Sequence, residues 1–166
     1  QSLCEKDLSS IALSILKKAK NYNCEIILPI DVICASSIND KSEVNNYDVN
    51  VIPFNLMALD VGTKTITLIK KSILKSKMIL WNGPLGVFEH KPFDKSSVQI
   101  ANTIKENAKN LNITTIAGGG DTVSAIKLAK AEEGFSYISK GGGAFLDWLE
   151  GKGSPGVNAL KDNKIN

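Results

Sequence analysis

A chain of 166 residues that is 43% hydrophobic carries enough apolar surface for a real core, and no apolar run in it approaches the roughly eighteen residues of a membrane span. The net charge of +3 rests on lysine alone; without arginine, bidentate readout of guanine and arginine clamping of phosphate are closed to this chain, and its few scattered aromatic residues build no base-stacking platform. Membrane and nucleic-acid partners are therefore set aside.

From Ser2 the apolar positions Leu8, Ile11, Ala12, Ile15, Leu16 and Ala19 recur at helical spacing, and Lys17, Lys18 and Lys20 fall where cations suit the helix dipole. A surface helix packed on a sheet is expected. The same stretch has charges on both sides and no basic end followed by an apolar block, so it does not read as a signal peptide. Cys4, Cys24 and Cys34 are an odd number with no close pair and give neither a disulfide framework nor a zinc knuckle. A reducing, cytoplasmic location is the expectation.

Glu25 to Leu28 and Val32 to Ala35 are short apolar runs around Pro29, which predict a buried strand and its continuation. Ser36 to Asn50 is polar and rich in Asn, Asp and Ser, so it reads as an exposed excursion with a small hairpin ending at Val49 to Ile52. Phe54 to Leu59 leads into Asp60-Val61-Gly62-Thr63, after which Ile66, Ile69 and Ile73 mark a helix capped by Thr63 or Thr65. Strand and helix then alternate: Met78 to Trp81, Asp94 to Asn110, Ile113 to Ala117, Thr122 to Ala131, Tyr137 to Ser139, Ala144 to Glu150. Such alternation predicts an α/β fold, an open parallel sheet flanked by helices. Gly151 to Asn166 reads as loop, and no linker divides residues 1–166, so one domain is expected.

Three glycine loops stand in phase with these strands. Ile113 to Ala117 stops at Gly118-Gly119-Gly120 and restarts as a helix with Asp121 and Thr122 at the N-cap position. Met78 to Trp81 runs into Asn82-Gly83-Pro84-Leu85-Gly86, and Phe135 to Ser139 into Lys140-Gly141-Gly142-Gly143. One such loop is either a phosphate loop or an ordinary strand-to-helix turn. Three on parallel strands line up along the carboxyl edge of one sheet, where open α/β sheets bind their ligands. Asp121 would add a carboxylate for a phosphate-bound magnesium ion. Neither the P-loop nor the Gly-x-Gly-x-x-Gly fingerprint occurs. His90, the sole histidine, sits in a polar Glu-His-Lys-Pro loop and is assigned no role.

Trp81-Asn82-Gly83-Pro84-Leu85-Gly86-Val87-Phe88-Glu89 is the most specific stretch, although a buried tryptophan with a turn behind it is the plainer alternative. Together with Gly118-Gly119-Gly120-Asp121-Thr122 and Gly141-Gly142-Gly143-Ala144 it resembles the carboxy-terminal domain of the phosphoglycerate kinase family. Leu28-Pro29-Ile30-Asp31, Leu59-Asp60-Val61-Gly62, Leu149-Glu150-Gly151-Lys152 and Pro155-Gly156-Val157 look like further signatures in the family's order.

The resemblance implies a Rossmann-like, three-layer α/β/α arrangement, present here as a partial domain without its first strands. It also implies roles for the matching residues. Asn82, Pro84, Gly86 and Val87 would line the adenosine and polyphosphate side, and Glu89 would take the ribose hydroxyls. Gly118, Gly119, Gly120, Asp121 and Thr122 would hold the phosphates of ADP or ATP, with Mg2+ on Asp121. Gly141, Gly142 and Gly143 would present N–H groups to the phosphoryl group in flight. The implied reaction is reversible transfer from 1,3-bisphosphoglycerate to ADP, giving 3-phosphoglycerate and ATP in glycolysis, by a monomeric enzyme. The acyl-phosphate partner would bind through an amino-terminal domain, with an arginine that this chain lacks, so the chain alone is expected to be inactive. A stand-alone nucleotide-binding or interaction module is the alternative. Lys140 and Ser154 depart from the family pattern, and Lys140 is either a flexible cation beside the glycines or a solvated side chain.

Overall fold

The computed structural model describes residues 5–39, 43–139 and 150–151. They fall into two units, Gln1–Lys75 with Leu85–Ile100, and Ser76–Pro84 with Ala101–Asn166.

In the first unit a helix, α1 (Ser9–Asn21), precedes three strands, β1 (Asp31–Ala35), β2 (Asn45–Asp48) and β3 (Met57–Val61), and a second helix, α2 (Thr63–Lys75). The strands form an antiparallel sheet in the order β2-β1-β3. The strand–helix alternation does not announce this sheet. The chain from β1 to β3 holds no helix among the described residues, and parallel neighbours need a crossover of about a dozen residues, usually helical. Val32, Cys34 and Leu56 are buried on one side, and Ala35, Leu59 and Phe93 in a second cluster. The strand expected at Glu25 to Leu28 is absent, and Leu28 is 55% exposed. The hairpin strand forms at Asn45–Asp48, ahead of the expected Val49 to Ile52.

The packing expected of α1 is also not found. No residue of the helix is buried, and Ile11, Leu13 and Ile15 are each more than half exposed. The helix forms where its apolar period predicts, but among the described residues nothing covers its apolar face.

In the second unit β4 (Met78–Asn82), β5 (Thr114–Gly118) and β6 (Tyr137–Ile138) form a parallel sheet in the order β4-β5-β6, as the alternation predicts. A third helix, α3 (Lys95–Asn107), contributes residues to both units, and α4 (Gly120–Leu128) follows β5. Apolar spacing on α3 puts Ala101 and Ile104 in the core, with Ala108 just beyond its end. Ala117, Ala125 and Ile126 are fully buried, and the Trp81 ring lies 6.1 Å from that of Phe135. Asn23, Asn112 and Lys130, just beyond the ends of α1, α3 and α4, adopt the left-handed conformation that closes a helix. No helix among the described residues is long and apolar enough to cross a membrane.

Candidate functional site

The β4–β5 register sets the site in the second unit. Asn82 pairs with Gly118, so the two glycine loops leave the sheet at the same level. Gly119 then takes φ +93°, a conformation that L side chains rarely adopt, and a Cβ there would stand 3.1 Å from Asn82 Oδ1. Asn82 is thus seated against the loop that follows β5. The N-cap of α4 is Gly119, not Asp121 or Thr122, and no side chain caps the helix. Its first helical bond runs from Val123 N–H to Gly119 C=O. The amides of Gly120, Asp121 and Thr122 precede it, at the positive end of the helix dipole.

Thr122 and Asp121 divide the work. Thr122 is buried, and its hydroxyl accepts the Gly83 N–H at 2.6 Å, tying the loop after β4 to the first turn of α4. Trp81 Nε1–H donates to Gly83 C=O at 2.7 Å and fixes the same glycine from the other side. Asp121 is exposed in that first turn, where its carboxylate reaches solvent. No group of three or more metal-binding side chains occurs among the described residues. One carboxylate on a helix end does not make an all-protein metal cage.

Other predicted residues belong to the first unit. Gly86 has φ +65° and lies so close to the Asp60 carboxylate and the Phe93 carbonyl that a side chain there would collide with both. Val87 N–H donates to Leu59 C=O at 2.8 Å, joining the loop to β3. Gly86 and Val87 line a cavity of about 270 Å³ with Val32, Ala58, Leu59, Asp60 and Val61. Glu89 is exposed; Pro84, which belongs to the second unit, is half-buried. A larger cavity of about 360 Å³, between Ile26, Leu28, Lys71 and Lys75, holds none of the predicted residues. Gly141, Gly142 and Gly143, with Lys140, Ser154 and the expected helix from Ala144, lie outside the described residues.

Sequence reasoning missed the polar groups that hold this scaffold. Buried Asp60 accepts the Ser96 N–H at 3.1 Å and the Ser96 hydroxyl. Burial pushes its carboxyl up, with the nearby Asp94 charge adding to the effect, and the Ser96 bonds oppose the rise. Ser97 accepts the Leu85 N–H at 2.8 Å and donates to the Leu85 carbonyl at 2.7 Å. Consecutive serines at a helix start read as capping residues, and nothing local marks them as buried. Thr115 does similar work in the second unit, donating to the Gly134 carbonyl at 2.8 Å and accepting the Ser136 N–H at 2.9 Å.

The Leu28-Pro29-Ile30-Asp31 and Leu59-Asp60-Val61-Gly62 signatures meet at one point. Asp31, 2% exposed, accepts the Lys64 N–H at 3.0 Å, the Thr65 N–H at 2.8 Å and the Thr65 hydroxyl at 2.7 Å, and also Asn46 Nδ2–H at 3.0 Å. Burial alone would raise this carboxyl; the bonds from Asn46, Thr65 and Lys64 outweigh it and hold the group at about 2. The cap of α2 is therefore Asp31, from β1, and not Thr63 or Thr65. Gly62 has no room for a side chain because the Asp31 carboxylate occupies it.

Comparison with known proteins agrees with these local features. The family model described as phosphoglycerate kinase matches residues 1–152. Phosphoglycerate kinase of Methylorubrum extorquens (strain PA1) is 46% identical over 161 residues, 97% of this chain and 40% of the relative. That of Sinorhizobium medicae is 42% identical over 164 residues, 99% of this chain and 41% of the relative. The solved phosphoglycerate kinase from Coxiella burnetii superposes with a TM-score of 0.88 at 32% identity, covering 96% of this chain and 40% of that one. The enzyme from Pyrococcus horikoshii OT3 gives 0.76 at 26% identity, covering 93% and 36%. The chain spans about two fifths of the length of the curated relatives it matches. On the strength of the family match and these similarities, the chain belongs to the phosphoglycerate kinase family.

Proposed function

We propose that this chain supplies the nucleotide-binding part of a kinase that transfers a phosphoryl group reversibly between 1,3-bisphosphoglycerate and ADP. The observation that carries the reading is the uncapped start of α4, with three amides ahead of the first helical bond and Asn82 and Thr122 seated beside it.

In this reading Gly118, Gly119 and Gly120 let the polyphosphate approach the backbone, and the Gly120, Asp121 and Thr122 amides donate to its oxygens. These donors are fixed before substrate arrives, so they need no reorganisation as charge shifts during transfer. Thr122 positions the β4 loop through Gly83, and Asn82 offers its side-chain amide from the facing strand. Asp121 would hold Mg2+, which when bound neutralises charge on the transferring phosphates. Gly86, Val87 and Glu89 are assigned to the adenosine side on the resemblance alone. Gly141, Gly142 and Gly143 are assigned to the phosphoryl group in flight on the resemblance alone. The acyl phosphate and its arginine are assigned to sequence that this chain does not contain.

The test is a coupled assay with the complete polypeptide that carries this chain, beside the 166-residue chain alone. The complete polypeptide turns over with Mg-ADP, whereas the chain alone binds Mg-ADP weakly and transfers nothing. Without a second substrate site, the advantage of holding both reactants together, up to about 7–11 kcal/mol, is not available. Turnover by the short chain sinks this division of labour, and nucleotide binding without turnover by the complete polypeptide favours a binding module.

A further inference from the structure

Asn82 and Gly83 form the only Asn-Gly pair in the sequence. Glycine is the neighbour that least obstructs attack of its own backbone nitrogen on the asparagine side-chain carbonyl, because no Cβ shields that nitrogen. Both residues are exposed, and Gly83, at φ +96°, has nothing among the described residues within 4 Å of where a Cβ would stand, so the pair is open to water there.

One contact opposes the reaction. The Gly83 N–H is held by the Thr122 hydroxyl at 2.6 Å, and Thr122 is 1% exposed, so the acceptor is fixed by the packing of α4. Asn82 Oδ1 lies on the Gly119 side, 3.1 Å from where a Cβ would stand there. The nitrogen has to give up its hydrogen bond before it can turn toward Asn82 Cγ.

We propose that Asn82 is a site of spontaneous deamidation and that the Thr122 hydroxyl is the group that restrains it. In the reaction a bond forms between Gly83 N and Asn82 Cγ. The Cγ–Nδ2 bond breaks, and ammonia departs with the Gly83 amide proton. The five-membered imide then takes up one water molecule at either carbonyl, leaving aspartate or isoaspartate. No oxidant is needed, and water is the co-reactant. The product places a carboxylate at the end of β4, opposite Gly118. Resting on the nucleotide reading above, that charge repels the phosphates and weakens ADP binding.

The experiment incubates the complete polypeptide at mildly alkaline pH and follows deamidation by peptide mapping and mass spectrometry, in native buffer and in urea. Asn82 is expected to be the first asparagine modified in urea and to react more slowly in the folded chain. Thr122→Val is expected to react about two- to tenfold faster than the parent in native buffer, the factor that one hydrogen bond of ordinary net strength provides. Thr122→Ser, which keeps the hydroxyl, stays near the parent rate. Thr122→Val at the parent rate overturns the proposal, as does a Thr122→Ser rate equal to that of Thr122→Val. Should Thr122→Val not fold, amide exchange in the parent decides: a Gly83 N–H as fast as an unprotected amide overturns the proposal, and a slowed one upholds it. Unchanged ADP affinity in fully deamidated protein would count against the nucleotide reading and leave the mapped modification standing.

Discussion

Two turns of this chain carry a helix out of a strand over glycine, a single one after β3 and a run of three after β5. At Gly62 the chain passes from β3 to α2, and at Gly119 from β5 to α4. Their ends are satisfied differently. The first amides of α2 are filled from within, by the Asp31 carboxylate. Those of α4 meet no capping side chain. Gly62 is required because a carboxylate of the protein's own occupies its side-chain space; Gly119 is required for its positive φ, and Gly120 beside it meets nothing among the described residues. The same strand-to-helix turn is thus closed by the protein's own carboxylate once and left without a capping side chain once. What separates the two is an acceptor 33 residues away in sequence.

Gly62→Ala breaks the comparison most severely. The added methyl displaces the Asp31 carboxylate from buried amides, and a loss of about 3–5 kcal/mol in denaturant-measured stability is expected. Asp31→Ala leaves the same amides without an acceptor but adds no clash, so about 2–4 kcal/mol is expected by the same measurement. The pH dependence carries the sign. Asp31 is held at about 2 against an ordinary 3.8, so its contribution is present above 3.8 and is lost as pH falls toward 2. Acid titration of stability is therefore expected to be flatter in Asp31→Ala over that window.

Gly119→Ala sharpens the contrast from the other side. Strain at φ +93° costs about 1–3 kcal/mol, while ADP affinity in a titration falls by about tenfold or more, since the loop and Asn82 both shift. Asp121→Asn is milder for the fold. Its melting temperature is expected to stay that of the parent while turnover of the complete polypeptide drops by about tenfold or more, because the carboxylate proposed for magnesium is gone. Equal turnover would reduce Asp121 to a residue that merely suits the helix dipole. The smallest effect belongs to Glu133→Gln, which removes the exposed ion pair to Lys105 at 2.8 Å. Thermal melts should differ slightly at low salt and coincide at high salt.

How much of this was legible depended on whether the controlling interaction was local. The parallel sheet β4-β5-β6 and the glycine loops after β4 and β5 follow from apolar runs that stop at or next to glycine, a signal contained in a few residues. Asp31 as a cap, Ser96 against Asp60 and Ser97 against Leu85 pair residues far apart in sequence, where no periodicity reports them. The N-cap of α4 was misplaced because Asp and Thr favour that position by propensity, whereas Gly119 takes it through its positive φ. For α1 the apolar period gave the helix correctly, yet a period cannot say what covers the face it creates.

Amide hydrogen exchange on the complete polypeptide, with and without Mg-ADP, tests the central claim most directly. The account predicts that the nucleotide slows exchange at Gly120, Asp121 and Thr122 and leaves Lys64 and Thr65, already bonded to Asp31, unchanged. Saturating Mg-ADP that binds but leaves the Gly120 to Thr122 amides as fast as before would contradict it.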